Sequence, residues 1–308
     1  MRKKIFEAVI IFTSLFLLGM IFIKQQVISS SIVYALNIWV NKLLPTLFPF
    51  FIISDILINY NITLYIPKSF RKICKWLFNI SDNMLTIFLL SMISGFPSNA
   101  RNTRNMYDNG MITLEEANHI LIFSHFANPA FILSTIAIFF NDKEMATLLM
   151  VSHYVSNFIL GIIFRKSIKC NNYDNKFKNN DNFGEVLISA VKKAIDTSLI
   201  ICGILGIFLM ISSVIISIFT VSDYNAAIIK GILEITAGMD ALSKLEISKI
   251  YKLVLASSFL SFGGLSVHIQ VLSQIAGTKI RYHYFFIGRM YQMIIAGLIT
   301  YLLWLIWY

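Results

Sequence analysis

Directly after the apolar run that ends Ser94-Gly95-Phe96-Pro97, the chain reads Ser98-Asn99-Ala100-Arg101-Asn102-Thr103-Arg104-Asn105. On a helix, Ser98, Arg101 and Asn105 share one face at i, i+3 and i+7, with Asn99 beside them and Arg104 turned away. A helix that starts at such a break presents unbonded N–H groups, which attract an anion. Arg101 adds a fork of donors matched to a carboxylate. The same residues also fit a polar loop leaving an ordinary span. A second constellation follows Gly263-Gly264: Ser266, Gln270 and Ser273 fall on one face, with His268 alongside.

Between these two lie further polar groups. Thr113-Leu114-Glu115-Glu116 has the form of a capping box, in which Thr and Glu side chains satisfy the first backbone donors of a helix. That helix carries Asn118, His125 and Asn128 on roughly one face and meets Pro129. His125 suits a substrate contact and a satisfied interior histidine equally well. Gly231, Glu234 and Gly238 recur at i, i+3 and i+7, so the glycines allow close helix approach and Glu234 is placed to bond a partner helix. Arg289 and Gln292 lie within the last apolar run, where Arg289 is expected to snorkel toward the interface.

Hydrolytic chemistry is a weak match. Gly264-Leu265-Ser266-Val267 faintly resembles an intramembrane serine protease site, but a nucleophilic serine needs a base within hydrogen-bond reach, and only His283 is a candidate. No His-Glu-x-x-His, Walker or dinucleotide-binding pattern is present, and no cofactor or metal is expected. Cys74, Cys170 and Cys202 are isolated, without metal-ligand spacing. The chain reads as a non-enzyme.

The elements that must position these groups are membrane helices. Hydrophobic residues make up 57% of the 308 and charged residues 14%, against about 25% in an average soluble protein. Mean hydropathy is +0.72. The net charge of +10 is dispersed in short gaps between apolar runs, where Lys and Arg hold loops on the cytoplasmic side, so nucleic acid is not an expected partner. Residues 5–23 form an uncleaved first helix by length. Runs 5–23, 146–164, 197–219 and 284–307 are clean spans. Four others are interrupted: 43–58 by Pro45 and Pro49, 84–97 by Gly95 and Pro97, 119–140 by Asn128-Pro129, and 251–277 by Gly263-Gly264. Backbone groups freed by such breaks are tolerated in a membrane only inside protein or beside a water-filled cavity.

The expected fold is therefore all-α: a polytopic transmembrane protein of two repeated halves with broken or re-entrant helices near the midplane. Residues 1–164 form the first half, 165–184 a polar basic cytoplasmic linker, and 185–308 the second half. Helices 5–23 and 197–219 correspond, as do the breaks at Gly95 and Gly263-Gly264. Corresponding interrupted segments in two halves point to a transporter binding site. Lys68, Arg71, Lys72 and Lys75 place loop 60–82 inside, and the linker is also inside, which starts both halves in the same orientation.

Four motifs carry a family resemblance: Leu43-Leu44-Pro45-Thr46-Leu47-Phe48-Pro49-Phe50-Phe51, Ser94-Gly95-Phe96-Pro97, Ile112-Thr113-Leu114-Glu115-Glu116-Ala117-Asn118, and Ser261-Phe262-Gly263-Gly264-Leu265-Ser266-Val267-His268-Ile269-Gln270. Together they resemble the YlbJ family of sporulation integral membrane proteins, within the nucleoside-recognition (Gate) superfamily. The likeness covers nearly the whole chain outside the linker. It implies a multi-pass protein in the mother-cell-derived membrane around the forespore, and passage of dipicolinic acid toward the forespore. One departure stands out: members usually have Gly-Tyr-Pro and soon another glycine, where this chain has Phe96 and then Ser98-Asn99. Expected partners are a small anion such as dipicolinate, or a nucleoside, together with membrane lipid. A non-transporting scaffold and a homo-oligomer both remain open.

Overall fold

The computed structural model describes residues 2–165, 182–219 and 221–307. Most of the predicted linker, including Cys170, lies outside the described residues. Helix accounts for 85% of the structure, and the described residues contain no strand. Five helical stretches are long and apolar enough to cross a membrane: 25–59, 143–163, 183–218, 249–275 and 282–307. The chain is an all-α polytopic membrane protein.

Helix α1 (Arg2–Ile23) is followed almost at once by α2 (Gln25–Ile38). The predicted interruption by Pro45 and Pro49 does not break the next span. A wider π turn, Trp39–Leu43, joins α2 to α3 (Leu44–Asn59), and the helix runs on through both prolines. Pro45 sits in the first turn of α3, where its missing N–H costs little. The Thr46 hydroxyl donates to the Lys42 and Leu43 carbonyls, 2.8 and 3.0 Å away. Helix α4 (Lys68–Phe78) carries Lys68, Arg71, Lys72 and Lys75 and meets α5 (Asp82–Ser94) at a 90° bend. Its basic, amphipathic character suits the membrane surface and marks one end of the molecule as the basic end.

Two helix pairs fold back on themselves. In the first, α5 turns at Gly95-Phe96-Pro97 into α6 (Ser98–Asp108), and Asn83 donates to the Met111 carbonyl at 2.7 Å, which ties the open end together. In the second, α11 (Asp223–Leu233) turns at Glu234 into α12 (Ile235–Ser243). Here Gly231 and Gly238 touch backbone to backbone, and a Cβ on Gly238 would overlap the Gly231 Cα. The glycine face read in the sequence therefore closes a hairpin on itself instead of docking a separate helix.

Beside each hairpin runs a broken span. The first consists of α7 (Leu114–Phe123), an irregular stretch 124–129, a π turn Phe131–Ile136 and α8 (Ala137–Phe140). The second is α13 (Lys249–Phe262) continuing into α14 (Gly264–Ile275) across Gly263. Helices α9 (Lys143–Ile163), α10 (Phe183–Ile218) and α15 (Tyr282–Trp307) complete the bundle. The order span, hairpin, broken span, span thus occurs twice: α2–α3, α5/α6, α7–α8, α9, and then α10, α11/α12, α13–α14, α15. The element matching α10 is α2–α3 rather than the first helix, and Gly95 matches the Glu234 turn rather than Gly263-Gly264.

The hairpins enter from opposite ends of α10. The open end of α5/α6, with Arg104 and Asp108, lies by Lys193 and Asp196 near the start of α10. The α11/α12 hairpin lies by Leu209, Ser212 and Ser213 near its end.

Candidate functional site

Four breaks meet: the hairpin turns at Gly95 and Glu234, and the broken spans at Asn128 and Gly263-Gly264. Gly95, at φ +75°, lies so close to the second break that a Cβ there would sit 2.7 Å from the Asn128 Cβ. Gly264, at φ +68°, lies almost as close to the hairpin turn at Glu234, and its Cβ would approach the Ile235 nitrogen to 3.1 Å. Each hairpin tip therefore touches the broken span of its own half. Phe96, Asn128, Glu234, Val267 and Gln270 then line one shared cavity of about 40 Å³, closed by Leu47 and Leu205.

Several residues singled out in the sequence spend their polar atoms on these breaks. Asn128 donates to the Ile93 carbonyl at 3.1 Å and accepts from the Ala130 and Phe131 N–H groups at 2.8 and 3.3 Å. It thus closes the end of α5 and the start of the next helical segment together. Glu234 is the N-cap of α12 and accepts from the Ala237 N–H at 2.7 Å. His268 lies 3.1 Å from the Phe262 carbonyl through Nε2, which must donate, so its Nδ1 accepts from the Tyr282 hydroxyl at 2.6 Å. These three side chains are occupied in holding broken backbone.

Other predicted residues keep free valence. Helices α6 and α14 begin without a side-chain cap, at Pro97 and Gly263. Ser98 and Ser266, one near each start, are 1% exposed and their hydroxyls have no partner. Helices α6 and α14 pack together, and Arg104 donates to the Gln274 carbonyl at 2.9 Å. Asn99 donates to Ser124 at 2.8 Å and accepts from His125 Nδ1 at 2.9 Å. That bond leaves His125 Nε2, deeply buried and stacked against Phe96, without a partner. Such buried, unsatisfied groups are rare enough in native interiors to require an explanation.

The polar stretch 98–105 is a buried helix, which corrects the loop alternative. Arg101 is not a bare cation: it forms an ion pair with buried Asp55 and lies over the Phe51 ring. Arg104 does not face away from it, since both line the same cavity. The snorkelling expectation for Arg289 is overturned. Gly288 lets α15 press against the Ile122 carbonyl, and Arg289 beside it is wholly buried. Its guanidinium donates to the carbonyls of Ile122 and His125 at 3.2 and 3.0 Å, to Asn157 Oδ1 at 3.2 Å and to Gln292. Sequence reasoning passed over Asp55 as a partner of Arg101. It also passed over Ser152, His153, Ser156 and Asn157, although their i, i+1, i+4, i+5 spacing in the "clean" span 146–164 was a visible polar stripe.

Three cavities follow one stripe of α10. Thr197, Ile201, Leu205, Leu209 and Ser212 recur every three or four residues and are buried. At the basic end about 280 Å³ lies among Asp55, Arg101, Arg104, Lys193, Asp196 and Ser273. The 40 Å³ cavity follows at Ile201 and Leu205. Beyond it about 570 Å³ lies among Ser31, Tyr34, Leu209, Ser212, Lys230 and Asp240. Helix α2–α3 crosses the same three levels in the same order, at Asp55, Leu47 and Tyr34. No cluster of three or more His, Cys, Asp or Glu side chains suited to a metal ion occurs among the described residues.

The fold and the meeting of its breaks define a multi-pass α-helical membrane protein with paired helical hairpins. Within that class the chain is similar to the sporulation integral membrane protein YlbJ of Bacillus subtilis (strain 168), at 25% identity over 87% of this chain and 76% of that protein. That relative carries the name of the family that the sequence motifs resemble. No family model and no solved structure matches it.

Proposed function

We propose that the chain is a membrane carrier for a small anion and that it works in sporulation, the process named for its Bacillus relative. The proposed cargo is dipicolinate, moved from the mother cell toward the forespore across the mother-cell-derived membrane. One observation carries this reading: three cavities in line along α10, narrowest where four helix breaks meet. Broken backbone at membrane depth belongs beside a water-filled path, and paired discontinuous segments are where carriers hold their solute.

A dianion entering this interior without partners costs many kcal/mol. The uncapped starts of α6 and α14, the hydroxyls of Ser98 and Ser266, and Arg101 offset that cost with aimed donors and positive charge. A nucleoside would look to Asn128 and Glu234, and both are already committed to backbone, so the anion is favoured. The central 40 Å³ is close to one water's share of about 30 Å³. An aromatic dicarboxylate therefore passes only when the hairpin tips part, as alternating access requires.

The test is dipicolinate measured separately in forespore and mother cell of a strain lacking the protein. Forespore content should fall severalfold while the mother cell retains the acid. An unchanged ratio overturns the carrier reading and leaves a scaffold role. Purified protein in liposomes should take up labelled dipicolinate, and uptake blocked by uridine would move the cargo to nucleosides.

A further inference from the structure

Asp55 is the buried acidic group of the basic-end cavity, left unused by the carrier reading, and this inference rests on that reading. It is 1% exposed, lies on α3, and gives one carboxylate oxygen to Arg101. Its other oxygen, Oδ1, has no partner. Both residues line the cavity of about 280 Å³. The other charged groups on that cavity are Arg104 and Asp108 from α6 and Lys193 and Asp196 from α10; α14 contributes only Ser273 and Gln274. Arg104 is engaged by Asp108 and the Gln274 carbonyl. Arg101 is thus the buried cation of this cavity, and its carboxylate partner is the chain's own.

We propose that Asp55 and Arg101 form a proton-coupled exchange site for carboxylate anions. An incoming carboxylate takes the place of Asp55 on the Arg101 guanidinium. Asp55, still buried but without its counter-charge, takes up one proton from the cavity water and becomes the neutral acid, since burial disfavours an unpaired carboxylate. On release the proton leaves and the Asp55–Arg101 pair re-forms. Charge balances at the guanidinium at each step: one negative carboxylate replaces another on the same cation, one proton neutralises the one displaced, and the second carboxylate of a dianion keeps its own charge. Binding of the anion and binding of the proton are thereby linked, whichever gradient drives movement.

Dipicolinate is titrated into purified protein in weakly buffered solution at neutral pH with a pH-indicator dye. The wild type should take up about one proton per dipicolinate bound. Asp55→Asn keeps shape and one acceptor for Arg101; it should bind dipicolinate at least as well and take up no proton. Arg101→Gln should weaken binding on the order of tenfold or more. Binding by the wild type without proton uptake overturns the proposal and leaves the carrier intact, as does uptake undiminished in Asp55→Asn. Absence of dipicolinate binding together with absence of dipicolinate transport in liposomes overturns both.

Discussion

Among the described residues two arginines are buried, and they are solved in opposite ways. Arg101 has a carboxylate partner and stands on a cavity. Arg289 is wholly buried, and its partners are neutral: carbonyls near the ends of α7 and α13, an asparagine and a glutamine. The carbonyl ends of broken helices carry the negative pole of the helix dipole. Arg289 therefore acts as a shared cap for two half-helices that were cut short. The difference teaches that a buried charge is not by itself a ligand site. A cation that answers backbone is architecture, whereas one that answers an exchangeable carboxylate beside open volume is available for work.

The largest expected effect separates them directly. Arg289→Gln removes most of the donors from a fully desolvated cluster of acceptors, each costly to leave unmade. Stability should fall on the order of 3–5 kcal/mol, read as a large drop in unfolding temperature in detergent and low protein in the membrane. A variant that folds normally but does not transport would reverse the assignment. Arg101→Gln is expected to do the opposite: near-normal protein level, with dipicolinate uptake reduced about tenfold or more, for a lost charged hydrogen bond of roughly 1.5–3 kcal/mol. Arg104→Gln, half-exposed at the mouth of the same cavity, should reduce uptake less. Equal loss in both would place the anion at the mouth instead of at the buried pair.

The smallest effect comes from a third kind of pair, near the surface. Lys249 and Asp142 meet at 2.7 Å between the starts of α13 and α9. Partial burial opposes ionisation of Asp142, but the Lys249 ammonium and the N–H groups of Met145 and Glu144 hold its carboxyl below the usual carboxylate range. Its contribution is present above the unfolded value of about 3.9 and is lost as pH falls through the lower folded value. Exposed pairs contribute roughly 0.2–1 kcal/mol. Asp142→Asn keeps the helix cap, so at neutral pH it should lower the unfolding temperature only slightly. The gap to wild type should close in strong acid, and a gap that persists there would mean that the cap, not the ion pair, was lost.

The membrane class and three of the four breaks were legible in residue order, whereas the turn at Glu234 was not. Apolar runs have a length set by the bilayer, and Gly95, Asn128-Pro129 and Gly263-Gly264 are breaks whatever the tertiary fold. The capping box at Thr113 and Glu116 is also local, and it forms as read. What could not be read was which break faces which. Asp55 and Arg101 are 46 positions apart and Arg289 and Asn157 are 132 apart, and no periodicity links them. Pro45 misled for a different reason: its cost depends on the turn around it, and a π turn supplies the room.

That π turn has a consequence for phase. Ala35 packs on the α10 stripe with Leu205 and Leu209, and Leu47 packs on the same helix with Ala194 and Ile201. Twelve positions of regular helix would set those two side chains about 120° apart, and the one extra residue of a π turn returns roughly 100° of that. The two stretches present one continuous edge to α10 because the π turn absorbs a supernumerary residue between Trp39 and Leu43. A single deletion inside that turn, with Pro45 relieved, therefore leaves every contact below it in register. The same deletion anywhere from Leu47 to Ser54 swings Asp55 by a quarter turn or more and takes its carboxylate off Arg101.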